Sequence, residues 1–145
     1  METIVSTQKE HAAIRAVLKK LKKEIVSLVI DQRIEKVSWA VSLAFIKDSV
    51  INFHNLRERE SIIRYRLKGQ YKNLDEMMQT ISERHELIEL EYNLLFDYWN
   101  LYQEGHTLAR FNVMEEGEKM IRLLEESMRL EEKLFDLTTN ECIVK

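Results

Sequence analysis

The sequence predicts an all-α fold, an up-down-up-down antiparallel four-helix bundle, on three observations. The 145 residues contain no proline and three glycines, so few of the residues that tight turns require are present. Apolar residues recur at three- and four-residue spacing along most of the chain, which is typical of amphipathic helices. That spacing is interrupted at three places, and four helices with short connections form such a bundle. We expect residues 1–145 to form one domain.

The first two helices are separated by a break at residues 31–33. The first is predicted from about Val5 to Val29, where one apolar stripe runs through Ile14, Val17, Leu18, Leu21, Ile25 and Leu28. The second begins near Val37 and is long. It is predicted to end near Lys68, with Gly69 as its stop signal.

The last two helices are predicted from their stripes and from the polar residues that precede them. The candidate N-caps are Asn73 for the third helix and Thr107 or Asn112 for the fourth. The third helix is expected to end near Glu104, and the fourth carries its apolar positions between Met120 and Phe135. Residues 138–145 show no helical stripe, so we predict a loose C-terminal segment there.

The charge and the cysteine content exclude several classes of protein. The 22 basic and 25 acidic residues are spread along the chain and give a net charge of −3, so we expect no nucleic-acid partner. No apolar run approaches the roughly 20 residues that cross a bilayer, and the first residues do not resemble a signal peptide. A cytoplasmic protein without a membrane partner is expected. Cys142 has no second cysteine to pair with, so metal ligands would be nitrogen and oxygen atoms.

Three of the four histidines are predicted to lie at one level of the bundle. In antiparallel helices joined by a short turn, residues equidistant from the turn lie at the same height, because each helix rises by about 1.5 Å per residue. The midpoint of His11 and His54 falls in the first break, and that of His54 and His85 falls in the second. Reflection of His85 through the third break reaches residues 125–127. His106 lies within that break, away from this level.

Carboxylates near this level complete a candidate metal site. Glu58 follows His54 by four residues and Glu89 follows His85 by four, and such pairs share a helix face. The fourth helix offers Glu125, Glu126, Met128, Glu131 and Glu132 at the same height. A single histidine on a helix is more often structural than a ligand. Three histidines from three helices at one level, however, favour a site that binds a metal or once did.

Three motifs resemble those of the hemerythrin-like family of four-helix bundles, also called HHE cation-binding domains. They are Lys-Glu-His at 9–11, Phe-His-Asn-Leu-Arg-Glu at 53–58 and Glu-Arg-His-Glu at 83–86. The resemblance implies a non-haem di-iron centre that binds or senses oxygen, nitric oxide, iron or redox state. The ligands it implies are His11, His54, Glu58, His85 and Glu132. Glu58 would bridge the two irons, and manganese or zinc would suit the same donors.

The fourth helix departs from the family pattern, which has His-x-x-x-Glu at this place. If Glu132 occupies the glutamate position, Met128 stands in the histidine position. Alignment on the Leu-Phe pair at 134–135 places Glu126 there instead. A thioether is a poor ligand for iron, so the site would hold one metal or none unless other carboxylates compensate. The candidates for that compensation are Glu126, Glu89 and Glu131.

Three functions remain open from the sequence. The first is a metal-binding bundle that binds oxygen or nitric oxide, or senses iron or redox state, without turning over an organic substrate. The second is a bundle with one metal or none that acts as a scaffold for a protein partner or a second copy of itself. The third is a di-iron carboxylate oxidase or peroxidase. That class uses Glu-x-x-His, whereas the order here is His-x-x-x-Glu.

Overall fold

In the computed structural model, which describes residues 4–69 and 71–144, the chain forms four helices and contains no strand within those ranges. The all-α class predicted from the sequence is confirmed. The helices are α1 (Ile4–Asp31), α2 (residues 36–68), α3 (Asp75–Gln103) and α4 (Ala109–Val144). Helix α2 is continuous and has three segments: α-helical Lys36–Phe45, π-helical Ile46–Asn55 and α-helical Leu56–Lys68. Within the described chain, no helix has the length and apolarity of a transmembrane span.

The predicted end of α2 is confirmed, and the predicted start of α3 is wrong. Gly69 follows α2 with φ +65°, the left-handed conformation that glycine adopts without a Cβ penalty. Asn73 is not the N-cap of α3. It lies inside a short 3₁₀ turn, Lys72–Leu74, and α3 begins after Leu74 without a side-chain cap. Leu74, the residue before α3, is buried in an apolar cluster with Met78 and Ile81.

The C-terminal segment is helical, which corrects the prediction of a loose end after residue 138. Helix α4 continues to Val144, and Lys145 lies outside the described residues. Thr138 is buried, and its hydroxyl donates a hydrogen bond to the carbonyl oxygen of Phe135. Leu134 and Leu137 pack into an apolar cluster on the same helix face. The contacts of Leu137 and Thr138 lie beyond Phe135, the last apolar position predicted for this helix, and are consistent with its longer extent.

The four helices enclose two apolar cores, with each helix packing on two others. Helix α1 contacts α2 and α4, and α3 contacts the same two helices. Gly117 lets α1 and α4 approach closely, because a Cβ there would lie 2.8 Å from Cδ1 of Ile25. The larger core includes Ile14, Val50, Ile88 and Met128. The smaller core includes Ile62, Ile81 and Leu134.

The π-helical segment of α2 and the α-helical segment after it hold a row of residues spaced four apart on one inward face. Ile46, Val50, His54, Glu58 and Ile62 are all buried. In an α-helix of 3.6 residues per turn, repeated steps of four drift steadily around the axis. A π-helix closes i→i+5 hydrogen bonds and turns less per residue, which offsets that drift. The segment therefore carries His54 and Glu58 onto the face that continues into both cores.

Two carboxyl groups face each other between α3 and α4, at Glu91 and Glu116. Burial raises the pKa of Glu91, and its hydrogen bond to Glu116 together with the negative charge of Glu116 raises it further, from 4.5 to about 7. The folded protein therefore holds this proton more tightly than the unfolded chain. The contribution of this pair to the free energy of unfolding is therefore fully present below about pH 4.5 and is lost as the pH rises towards 7.

Substitution Glu91→Gln is expected to raise the free energy of unfolding at pH 8 and to leave it nearly unchanged at pH 4.5. The amide removes the charge that Glu91 carries at high pH, and the gain is on the order of 1 kcal/mol after solvent screening. Urea denaturation at the two pH values measures the effect. Glu118→Gln, an exposed change on α4, is the control. An equal gain for Glu91→Gln at both pH values would contradict this account.

Candidate metal centre

A buried polar layer separates the two apolar cores, and every helix contributes one residue to it. These residues are His11 from α1, His54 from α2, His85 from α3 and Glu131 from α4, and none is more than 3% exposed. Along α2, α3 and α4, the polar residue lies in sequence between a residue of the larger core and one of the smaller core. On α1, His11 lies three residues before Ile14 of the larger core. The prediction that three histidines lie at one level is confirmed by the contacts among these residues.

Three of these side chains converge on one point. Nε2 of His11 lies 3.2 Å from Nε2 of His54, and Nε2 of His54 lies 3.0 Å from Oε1 of Glu131. Nε2 of His11 lies 3.8 Å from Oε2 of Glu131. Among the described residues, these three form the one group of histidine, cysteine and acidic side chains whose ligand atoms all lie within 4.8 Å of one another.

Proton positions in this group follow from the contacts. A carboxylate only accepts hydrogen bonds, so Nε2 of His54 donates to Glu131. The two facing Nε2 atoms cannot both carry a proton, so Nε2 of His11 presents its lone pair. A single proton, carried by Nε2 of His54, thus lies among the three facing atoms of His11, His54 and Glu131. A metal cation that replaces this proton would gain two nitrogen ligands and one oxygen ligand.

His85 lies at the edge of this group and is not satisfied by protein contacts. Its Nε2 is 3.5 Å from Oε1 of Glu131, which is longer than an ordinary hydrogen bond. Among the described residues, neither of its ring nitrogens has a hydrogen-bond partner, although the side chain is fully buried. Buried polar groups are nearly always paired, so this imidazole has room for a bond to a ligand, an ion or a water molecule.

The electrostatics of the layer favour an ionised Glu131. Burial works to raise its pKa, but the hydrogen bond from His54, the close approach of His85 and the electrostatic effect of both rings outweigh burial and lower it to about 2. The hydroxyl of Ser127 donates to its other oxygen, Oε2, at 3.2 Å. A fully buried carboxylate therefore stays charged among imidazoles, which is the state that a metal ligand requires.

Two further carboxylates lie behind the histidine rings, each held by an arginine. Oε2 of Glu132 accepts a hydrogen bond from Nδ1 of His11 at 2.7 Å, and Arg15 donates to both Glu132 oxygens at 2.9 and 2.8 Å. Burial works to raise the pKa of Glu132, but the hydrogen bonds from Arg15 and His11 lower it overall. Oε1 of Glu10 lies 3.5 Å from Nδ1 of His54, and Glu10 pairs with Arg57.

The remaining predicted ligands lie outside the converging group. Glu58 is buried and shares with Glu131 a cavity of about 20 Å³, room for about one water molecule. Glu126 pairs with Arg84 of α3. Glu89 is half-buried on α3, Met128 belongs to the larger core, and Glu125 pairs with Lys22. Glu132 reaches the outer nitrogen of His11 rather than the centre.

The family resemblance implies Glu132 as the carboxylate ligand of α4, whereas the structure places Glu131 inward. Its neighbours in the buried stripe of α4 are Leu124, Met128 and Leu134. Steps of seven, three and three residues join them to Glu131, so the helical period alone assigns Glu131 to the inward face. The residue one turn earlier on that face is Ser127, a register that neither alignment of the family pattern had used.

Comparison with protein-family models, with curated proteins and with solved structures finds no match for this chain.

Proposed function

We propose that this chain is a cytosolic, hemerythrin-like bundle with up-down-up-down helices that binds a transition metal in the buried polar layer. His11, His54 and Glu131 would hold the ion, and His85 would complete or adjoin its coordination. The observation that carries this proposal is the convergence of two Nε2 atoms and a carboxylate oxygen at 3.2 and 3.0 Å. Ligand atoms bound about 2.0–2.2 Å from one ion lie about 3 Å apart, so the present spacing suits a metal.

Iron is the metal we propose, with manganese and zinc as the alternatives. Imidazole nitrogen and carboxylate oxygen are donors that suit all three, and within the part of the chain that the structure describes no thiolate joins the group. We propose one ion per chain rather than the di-iron centre that the family resemblance implies. A di-iron centre of that kind would need a fourth imidazole from α4, and the hydroxyl of Ser127 lies beside Glu131 instead. With three or four protein ligands, the ion would keep an open position for a small ligand such as oxygen or nitric oxide.

Metal binding is expected to show a stoichiometry of one ion per chain. Chelator-treated protein would be titrated with iron(II) under nitrogen, and with cobalt(II) and zinc(II), with the bound metal measured by elemental analysis. At a free metal concentration of 100 times Kd, unfolding should cost about 2.7 kcal/mol more. His54→Ala should abolish both effects. His106→Ala, in the exposed connection between α3 and α4, should leave both unchanged. Absence of stoichiometric metal after reconstitution would contradict the proposal.

A second candidate function is an interaction module, and the outer faces of α2 and α3 favour it. Leu87, Leu90 and Leu94 of α3 are 46%, 60% and 44% exposed and follow three- and four-residue spacing. Ile63 and Leu67 of α2 are exposed at the same kind of spacing. Such stripes are typical of helices that pack against a partner helix. The metal titration separates the two functions, because a scaffold without a metal would bind no ion.

A further inference from the structure

The His11 ring is contacted on both sides, and the two sides have different chemistry. Nε2 faces the converging group, 3.2 Å from Nε2 of His54. Nδ1 faces outward, 2.7 Å from Oε2 of Glu132. The His11 side chain is fully buried, whereas the Glu132 side chain is 35% exposed. Glu132 therefore reaches in from the surface to the far side of this ring.

The contact with Glu132 determines where the His11 proton lies. A carboxylate has no proton to donate at neutral pH, so Nδ1 of His11 is the donor in this hydrogen bond. In a neutral imidazole the other nitrogen then carries the lone pair. That nitrogen is Nε2, which faces His54 and Glu131. The hydrogen bond thus leaves the inward nitrogen available to bind a metal.

Glu132 is itself held in place from α1. Arg15 lies one helical turn after His11 and donates to both oxygens of Glu132, at 2.9 and 2.8 Å. Both hydrogen bonds come from one guanidinium nitrogen, Nη2, which lies between the two oxygens and holds the carboxylate beside α1. The two residues also line a surface cavity of about 360 Å³ between α1 and α4. Arg15, Glu132 and His11 form a chain of contacts from that cavity to the polar layer.

We propose that Glu132 is a positioning residue for the metal site and not a metal ligand. It holds His11 as the Nδ1–H tautomer and fixes the ring so that Nε2 points into the layer. This inference rests on the metal site proposed above. Partners of this kind raise the affinity of a histidine site by about 10- to 100-fold. The geometry thereby gives Glu132 a different task from the ligand role that the family resemblance implies for it.

The test compares Glu132→Ala with Glu125→Ala. Glu125 lies on the same helix and also pairs with α1, through Lys22 at 2.6 Å, but it does not contact a histidine. Glu132→Ala is expected to weaken cobalt(II) binding by about 10-fold or more and to shift the visible absorption bands of the bound cobalt. Glu125→Ala should change neither. Glu132→Gln, which keeps an acceptor oxygen, should recover part of the affinity.

A second measurement uses the metal-free chain. Long-range ¹H–¹⁵N correlation spectra report which ring nitrogen of His11 carries the proton. The unmodified protein and Glu125→Ala should show the Nδ1–H tautomer, and Glu132→Ala should lose it. Equal cobalt affinity in the two alanine variants, or an unchanged tautomer in Glu132→Ala, would overturn the positioning role while leaving the metal site intact. Failure of the unmodified chain to bind any metal would overturn both proposals.

Discussion

Substitution Glu131→Gln is expected to lower the affinity for cobalt(II) or iron(II) by more than about 100-fold, because it removes a charged ligand. Loss of a contact that only supports a ligand already lowers metal affinity by about 10- to 100-fold. The same change should destabilise the metal-free protein by about 2–3 kcal/mol, the scale of hydrogen bonds to a buried charged group. Glu131 is the acceptor for His54 and lies next to His85, so the amide removes the carboxylate that both rings face.

The stability difference between the unmodified protein and Glu131→Gln should depend on pH in a stated direction. The pKa of Glu131 is lowered to about 2 in the folded protein, against 4.5 for the ordinary group. A carboxyl group with a lowered pKa stabilises the fold fully above its unfolded pKa, and this contribution is lost as the pH falls from about 4.5 towards 2. Denaturant titrations at pH 6 and pH 3 measure the change.

The control for this substitution is Glu126→Gln, five residues earlier on α4. Glu126 pairs with Arg84 of α3 and is about one third exposed. An ion pair of this kind contributes about 0–1 kcal/mol, and it does not contact the polar layer. We expect no change in metal affinity for Glu126→Gln. If both glutamine variants bound the metal as the unmodified chain does, Glu131 would not be a ligand.

Much of the fold could be predicted because its signals are local. The apolar stripes and the scarcity of turn residues indicate four helices, and the end of α2 at Gly69 follows from one residue's conformational freedom. The C-terminal extension of α4 could not be predicted in the same way. Thr138 is buried and Leu137 partly buried because other helices pack against them, and a stripe without strong apolar residues does not reveal that packing.

The level of the candidate site could be predicted from residue number, whereas the family pattern indicated Glu132 instead of the inward Glu131. Height along a helix follows from residue number alone, so reflection through the breaks brings His11, His54 and His85 together. Direction around α4 depends on helix rotation, and adjacent residues differ by about 100°. Glu131 therefore enters the polar layer, whereas Glu132 accepts a hydrogen bond from the outer nitrogen of His11. The family pattern, without a histidine to anchor it, did not settle that rotation.

The π-helical segment of α2 had no signal in the sequence. His54 and Asn55 are adjacent, and both are buried, which an ordinary amphipathic helix with one narrow stripe does not require. The nitrogen of the Asn55 amide has no hydrogen-bond partner. π-Helical turns occur frequently at functional sites, where they redirect side chains. The apolar spacing of α2 is compatible with an uninterrupted α-helix, so it does not indicate the π-helical segment.

Substitution Ser127→His is expected to raise the metal content from one ion to two per chain. Ser127 is 1% exposed and lies one turn before Glu131 on the same face of α4, with its hydroxyl donating to Glu131 at 3.2 Å. An imidazole at this position would add a nitrogen ligand beside Glu131. Together with His85, which lacks hydrogen-bond partners, and the buried Glu58, it would supply the donors for a second ion. Iron content per chain and the absorbance of the aerobic protein measure the outcome.

Ser127→Leu separates this gain of ligands from the effect of added bulk. Both side chains are larger than serine, so both metal-free variants should lose about 1–3 kcal/mol through overpacking. Only Ser127→His should recover stability when iron is added, because a second bound ion stabilises the folded state alone. Ser127→Leu should bind no more than one ion. If Ser127→His also bound a single ion with unchanged affinity, the space beside Glu131 would not be a second metal position, and the hydroxyl of Ser127 would act only as a hydrogen-bond donor to Glu131.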